Sequence, residues 1–174
     1  HGHGVQASDQ IAIDWYRRSA NHGNPSAMHN LAIKISQYDG VRRDPHAAFE
    51  LWKQAAEMGV ARAQYSLARA FLNGSGVAAD PFTAVHWYER AAEQGHVWAL
   101  GMLAVGYFRG HGTERDLTRA FEYNYIAKEL GNSRAAIAHP IYFLWTTREQ
   151  KKRAKRRADA WLKRFRGSGK VVIR

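Results

Sequence analysis

Apolar and small residues recur along this chain at helical spacing, most clearly between Asp80 and Gly95. Trp87 and Ala91 mark one apolar face of a predicted helix, since residues four positions apart lie on the same side. Asp80 is a typical N-cap, and Pro81 suits the first helical position, where its missing N–H costs no hydrogen bond. Gly95 can adopt the left-handed conformation that ends many helices. The stretch therefore predicts one amphipathic helix.

The same pattern recurs with a period of 36 residues, and three sets of positions show it. The helix-ending glycines are Gly23, Gly59, Gly95 and Gly131. The small residues four positions later are Ala27, Ala63, Ala99 and Ala135. Eight positions beyond each glycine stand Leu31, Leu67, Leu103 and, breaking the pattern, His139. Four units in register indicate a repeat architecture.

Each unit predicts two antiparallel helices, a helix A that ends at the glycine and a helix B that starts after a short turn. The alanines let the two backbones approach closely. Gly-rich connections at 74–77 and 110–112 follow helix B, and the equivalent connection of the first unit, at 38–41, lacks the leading Gly. The aromatic residues at repeat positions are expected mostly in the core: Trp15, Tyr16, Trp52, Trp87, Tyr88 and Tyr123. One unit cannot bury its apolar stripe alone, so the units are predicted to stack into an all-α solenoid.

The pattern A-x-x-[W/Y]-x-x-x-A-x-x-x-G-x-x-x-A-x-x-x-L, followed by G-x-G and Asp, resembles the Sel-one-like repeat over roughly residues 9–138. That repeat is a relative of the tetratricopeptide repeat, whose period of 34 and lack of a G-x-G loop fit this chain less well. The resemblance implies a right-handed α-solenoid that acts as an adaptor or scaffold, commonly in bacteria and in signalling, envelope or host-contact settings. The fourth unit lacks the leucine and the G-x-G loop, so the array is predicted to stop there.

The predicted boundaries are an N-terminal extension at 1–10 and repeat units at 11–44, 45–80, 81–116 and 117–145. Pro140 is expected to kink or end the fourth helix B. A basic helix is predicted over 146–166, with Thr146 and Glu149 as a capping box and one apolar stripe that caps the open end of the solenoid. Residues 167–174 are predicted to form a flexible tail.

Positive charge is concentrated near the C-terminus. The net charge is +11, yet residues 1–146 hold 14 Lys and Arg against 13 Asp and Glu, whereas residues 147–174 hold 12 against 2. Such a cluster attracts an acidic protein, nucleic acid or an anionic membrane surface. The candidate residues are Lys151, Lys152, Arg153, Lys155, Arg156 and Arg157. Alternatively, these charges only solvate the capping helix. Stacking on nucleic acid is disfavoured, because Trp161 and Phe165 fall on the apolar stripe.

A protein or peptide partner is expected on the concave surface formed mainly by helices A. Two aligned, variable positions of helix A supply the candidates. One set is Asp14, Glu50, His86 and Glu122, and the other is Arg17, Lys53, Glu89 and Tyr125. Trp98 is a further candidate, because its counterparts in the other units are polar, although half-burial against a neighbouring helix explains it equally well.

The sequence gives no sign of catalysis, a cofactor or a metal site. A nucleophile elbow, a phosphate-binding glycine loop and a spaced carboxylate pair are all missing from it. The chain has no Cys, its nine His residues show no metal-binding spacing, and no apolar run is long enough to span a membrane. The HGHG start, without Met, suggests a processed or engineered terminus, and a longer array is a further possibility there. Partner, oligomeric state and compartment, whether cytoplasmic or periplasmic and secreted, stay open.

Overall fold

The computed structural model describes residues 9–36 and 43–173 of the 174-residue chain. Those residues form nine α-helices and one isolated backbone bridge. Their contacts divide the chain into two units, residues 1–79 and 80–174, which are described separately. The expectations for residues 1–8, including the HGHG start, and for most of the first connection lie outside the described residues.

The first unit contains two helix pairs. Its helices are α1 (Asp9–Asn21), α2 (Pro25–Ser36), α3 (Pro45–Glu57) and α4 (Ala61–Asn73). Helix α1 packs on α2, α3 packs on α4, and α2 also packs on α3. Leu67 and the repeat alanine Ala63 are fully buried, as the pattern predicts. Phe49 and Phe71 meet edge to face at 5.3 Å between α3 and α4.

The second unit contains two further pairs and a ninth helix. Its helices are α5 (Pro81–Glu93), α6 (Val97–Arg109), α7 (Leu117–Glu129), α8 (Ser133–Trp145) and α9 (Arg148–Gly167). Helix α5 packs on α6, α6 on α7, and α7 on α8, while α9 lies against α7. Leu103 and Ile126 are among the fully buried side chains of this core.

The helix ends follow the sequence signals. The carboxylates of Asp44, Asp80 and Asp116 accept backbone N–H groups in the first turns of α3, α5 and α7. The glycines at the turns between paired helices have φ between +80° and +91°, a region that side chains with a Cβ rarely adopt. The predicted start of helix A and its glycine terminus are therefore both present.

The fourth unit departs from the repeat without losing its helices. Pro140 does not end α8, which continues to Trp145, so of the two expected effects the helix end is not found. The proline removes one backbone donor, and the buried side chains of Ala135 and Tyr142 hold the helix on either side of it.

His139 stands at the missing leucine position, and Asn124 replaces the aromatic residue of the repeat, such as Tyr88 in the third unit. The two replacements face each other, with His139 Nδ1 2.8 Å from Asn124 Oδ1. Asn124 Nδ2 also donates to the carbonyl of Ala135 at 3.1 Å. Burial lowers the pKa of His139, which favours the neutral ring. The break in the apolar pattern is therefore a satisfied polar pair inside the helix hairpin.

Helix α9 starts two residues later than predicted. Its capping box joins Thr147 and Gln150, not Thr146 and Glu149. Thr146 belongs instead to the end of α8, where its hydroxyl donates to the carbonyl of Tyr142 at 2.8 Å.

The apolar stripe of α9 packs on α7 and does not cover α8. Leu162 and Phe165 are buried, whereas Ile137 and Leu144 of α8 are 79% and 81% exposed. The expected cap over the end of the array is therefore not found, because the stripe packs against α7, the helix A of the fourth unit. Among the repeat aromatics, Trp52 and Tyr88 are buried and Tyr16, Trp87 and Tyr123 are half-buried. Trp15 is 65% exposed, so the prediction of a core position is wrong for this residue.

The residues after α9 contact the fold instead of fraying. Ile173 donates its N–H to the carbonyl of Gly95 at 3.1 Å and accepts from the N–H of Val97 at 2.9 Å. The Phe165 ring lies directly over the Cα of Gly95, where a Cβ would collide with it. The turn between α5 and α6 therefore holds the C-terminal segment.

This packing predicts a large effect of Gly95→Ala. The left-handed backbone costs about 1–2 kcal/mol for a residue with a Cβ, and the collision with Phe165 adds about 1–3 kcal/mol. Gly59→Ala is the matched control, because Gly59 has the same backbone region but no atom within 4 Å of an added Cβ. Urea unfolding followed by circular dichroism is expected to show the larger loss for Gly95→Ala. Equal losses would contradict the packing of Phe165 on Gly95.

Candidate protein-interaction surface

The two candidate partner positions on each helix A are called its groove positions. On α7 they are Glu122 and Tyr125, and α9 contacts both. Glu122 is only 9% exposed, and its Oε2 lies 3.0 Å from Nε of Arg157 in α9. The ammonium group of Lys155 lies 5.9 Å from the ring centroid of Tyr125. The expectation of an open partner surface is therefore wrong for Glu122, which a helix of the same chain covers, whereas Tyr125 is half-exposed and its role as a partner contact stays a prediction.

The pair formed by Glu122 and Arg157 combines a buried anion with a partly exposed cation. Burial raises the pKa of Glu122, and Arg157 opposes that shift, helped by Arg119 and Arg153. Burial therefore destabilises the charged carboxylate, and the attraction of Arg157 offsets part of this free-energy cost. This arrangement ties the middle of α9 to α7.

On α5 the two groove positions differ in availability. His86 is exposed, and its ring meets the Trp87 ring at 5.8 Å. Glu89 is half-buried and accepts a hydrogen bond from the Tyr107 hydroxyl at 3.0 Å. Arg119 Nη1 donates to the same hydroxyl at 2.8 Å, which links α5, α6 and α7. Only His86 presents its side chain outward.

In the first unit the groove positions lie largely at the surface. Asp14 and Arg17 of α1 are both exposed and form a 3.1 Å ion pair with each other. On α3, Lys53 is exposed and Glu50 is half-buried. The four positions present both signs of charge on these two helices.

Trp98 is half-buried, and the guanidinium of Arg134 lies 5.2 Å from its ring centroid. A cation over the face of an indole is a favourable contact. The ring is therefore partly covered within its own unit, in keeping with the half-burial alternative, and its role as a partner anchor stays a prediction.

The six basic candidates of α9 do not share one face. Lys151 lies 3.4 Å from the centroid of the Phe143 ring. Together with Lys155 and Arg157, it contacts the body of the second unit. Lys152, Arg153 and Arg156 are exposed to solvent. The helical period divides the run into three cations that contact the unit and three that lie outward.

A polar cleft of about 670 Å³ opens beside the start of α9. It is lined by Tyr107, Thr113, Glu114, Arg115, Asp116, Leu117, Arg119 and Gln150. Sequence reasoning missed Arg119, which lies on the wall of this cleft. Its counterparts, Thr83 and Ala47, carry no charge, so the repeat pattern contains no signal for a cation at this position.

Two general features follow from the described ranges, 9–36 and 43–173. No three His, Asp or Glu side chains in them lie close enough together to bind a metal ion. None of the helices in these ranges is sufficiently long and apolar to cross a membrane.

The Sel1 repeat family model matches residues 1–24, 25–60, 61–96 and 99–132, which is most of the chain. The chain belongs to the Sel1 repeat family. Proteins with these repeats are generally protein-interaction scaffolds. Both the predicted family and the predicted fold class, an all-α solenoid of helix pairs, are confirmed.

Two solved structures are similar to this Sel1 repeat chain. A protective antigen of uropathogenic Escherichia coli with an SLR fold is 30% identical, with a TM-score of 0.86 over 93% of this chain. The chain spans 35% of the length of that antigen. A Sel1 repeat protein from Oxalobacter formigenes is 25% identical, with a TM-score of 0.75, and the match covers 97% of this chain and 68% of that one. No curated protein matches the chain.

The ion pair between α7 and α9 predicts an asymmetric mutational response. Arg157→Ala is expected to destabilise the second unit by about 1–3 kcal/mol, because it leaves the Glu122 carboxylate buried without its cation. Glu122→Gln is expected to change stability by less than about 1 kcal/mol, since the partly exposed Arg157 can be solvated. The double variant is expected to recover most of the loss caused by Arg157→Ala.

Urea unfolding at pH 7 and pH 5 measures this response. The folded-state pKa of Glu122 is raised, so the folded protein takes up a proton before the unfolded chain does, and the stability cost of the buried charge falls as pH falls. The deficit of Arg157→Ala is therefore expected to shrink at pH 5. A deficit that is independent of pH and of Glu122→Gln would show that Arg157 acts through packing alone.

Proposed function

We propose that this chain is a non-catalytic scaffold that binds a helical segment of a protein partner along its helices A. The observation that supports the proposal is the seating of α9 on α7. Glu122 and Tyr125, the two groove positions of α7, are contacted by a helix that contributes an ion pair, a cation–aromatic contact and an apolar stripe. An amphipathic helix in a groove is a common mode of peptide recognition.

The same two positions on the other helices A carry different side chains. Asp14 and Arg17 on α1, and Lys53 on α3, are exposed. His86 is the exposed member on α5. In this proposal the partner contacts the same two positions on each helix A that α9 contacts on α7. The charges at those positions select the partner through electrostatic complementarity.

Site-specific photo-crosslinking on the full chain tests this proposal. A photoreactive residue at Lys53 or at His86 is expected to capture the same protein from a lysate of the source organism, since both side chains lie outward at groove positions. The matched controls are Arg69 and Arg109, which are exposed on α4 and α6, the helices B of the same two pairs.

The captured protein is then purified, and its binding is measured at low and at high salt. Lys53→Glu is expected to weaken binding by about tenfold or more, as a reversed charge contact costs over about 1.4 kcal/mol. Equal crosslinking at the control positions, or unchanged affinity for Lys53→Glu, would exclude the groove as the binding surface.

The outward face of α9 supports a second candidate function, binding of an anionic partner. Lys152, Arg153 and Arg156 are exposed, and Lys163, Arg164 and Arg166 continue the exposed positive charge along the helix. Such a row of cations supplies attraction that depends on salt and not on a particular sequence. Nucleic acid, an anionic membrane surface and an acidic protein all satisfy this chemistry.

Salt dependence tests the second candidate with a short DNA duplex as the probe. Changing Lys152, Arg153 and Arg156 together to Gln is expected to reduce the slope of log affinity against log salt by about two to three, since each phosphate contact contributes about 0.9. The control changes three exposed arginines elsewhere to Gln: Arg43, Arg62 and Arg69. A slope that both triple variants leave unchanged, or lower equally, would rule out a specific role of α9. Vesicles containing phosphatidylglycerol serve as the parallel probe for a membrane surface.

A further inference from the structure

Helix α8 has a large apolar face that the described structure leaves uncovered. Ile137 and Leu144 are 79% and 81% exposed, and Phe143, whose ring is contacted by Lys151, is 50% exposed. Positions three, four and seven residues apart lie on one side of a helix, so Ile137, Ile141 and Leu144 form a continuous stripe. Solvent-facing apolar stripes of this kind mark interaction sites.

The preceding repeat shows what this face contacts when another unit follows it. Tyr107 of α6, one period before Phe143, stacks on Tyr123 of α7 with ring centroids 5.6 Å apart. Phe108, one period before Leu144, meets the Tyr142 ring of α8 edge to face at 5.2 Å. Phe143 and Leu144 of α8 thus occupy positions that contact the next helix pair in the preceding repeat.

Helix α1 has the complementary face. Three periods before Tyr123 stands Trp15, and three periods before Arg119 stands Ile11. In α7 these two positions contact Tyr107 of the preceding helix B, through ring stacking and through a hydrogen bond. Trp15 and Ile11 are 65% and 43% exposed.

We propose that two copies of this chain associate head to tail, with α1 of one copy on the open face of α8 of the other. The occupant follows from the α6–α7 interface, which this contact continues: Trp15 takes the place of Tyr123, and Phe143 takes that of Tyr107. The faces differ, so the contact is heterologous, and a dimer keeps one free face of each kind. The proposal is independent of the groove function, which uses other positions of the helices A.

Sedimentation velocity on the full chain over a range of concentrations tests this association. Wild type is expected to form oligomers that grow with concentration. The α8-face variant, Ile137→Asp with Leu144→Asp, and the α1-face variant, Ile11→Asp with Trp15→Asp, are each expected to weaken association at least tenfold. All four residues are exposed, and circular dichroism checks that the helices persist. Phe82→Asp is the matched control, because Phe82 is 72% exposed on α5 outside both faces, and it is expected to associate as wild type does.

Mixing the two face variants is the decisive step. Each variant retains the face that the other has lost, so an equimolar mixture is expected to form a dimer and to stop there. A mixture that stays monomeric, or association that survives either variant alone, would overturn the proposal. A wild type that is monomeric up to about 1 mM would overturn it as well. So would a monomer that binds vesicles containing phosphatidylglycerol through Leu144, because the α8 face would then be a membrane contact.

Discussion

A helix hairpin of this length has more apolar surface than its two helices can bury against each other, and the whole structure depends on covering this excess. Each pair must use a neighbour, and α2 on α3 or α6 on α7 shows the regular solution within each unit. The alanines and the left-handed glycines bring the helices of a pair close enough to leave their larger side chains for the next pair. Where the repeats end, some other surface must provide the cover.

Helix α9 provides that cover for α7 and leaves α8 exposed. Its four buried side chains pack along α7, and Phe165 continues over the glycine turn between α5 and α6. The cost of this choice is visible on α8, whose apolar residues stay open. In return, α9 covers Glu122 on α7, so the contacts between a helix A and an amphipathic helix can be described residue by residue. The chain thereby contains its own example of how its repeat surface receives an amphipathic helix.

Charge has two uses in the same helix, and the helical period separates them. Arg157 is partly exposed but lies beside α7, where it offsets the desolvation of Glu122. Arg156, its neighbour in sequence, lies on the outward face of α9 and is exposed to solvent. A count of basic residues cannot make this distinction, since the burial of each side chain depends on where α9 lies.

The sequence by itself determined the helix pairs, their caps and the family, because capping carboxylates, turn glycines and small interface residues act within a few positions of the chain. It also located the basic helix to within two residues. It did not determine that Pro140 lies inside α8, that Asn124 pairs with His139, or that α9 packs on helix A. Those outcomes depend on residues distant in sequence competing for the same buried surface, a competition that only the tertiary structure decides.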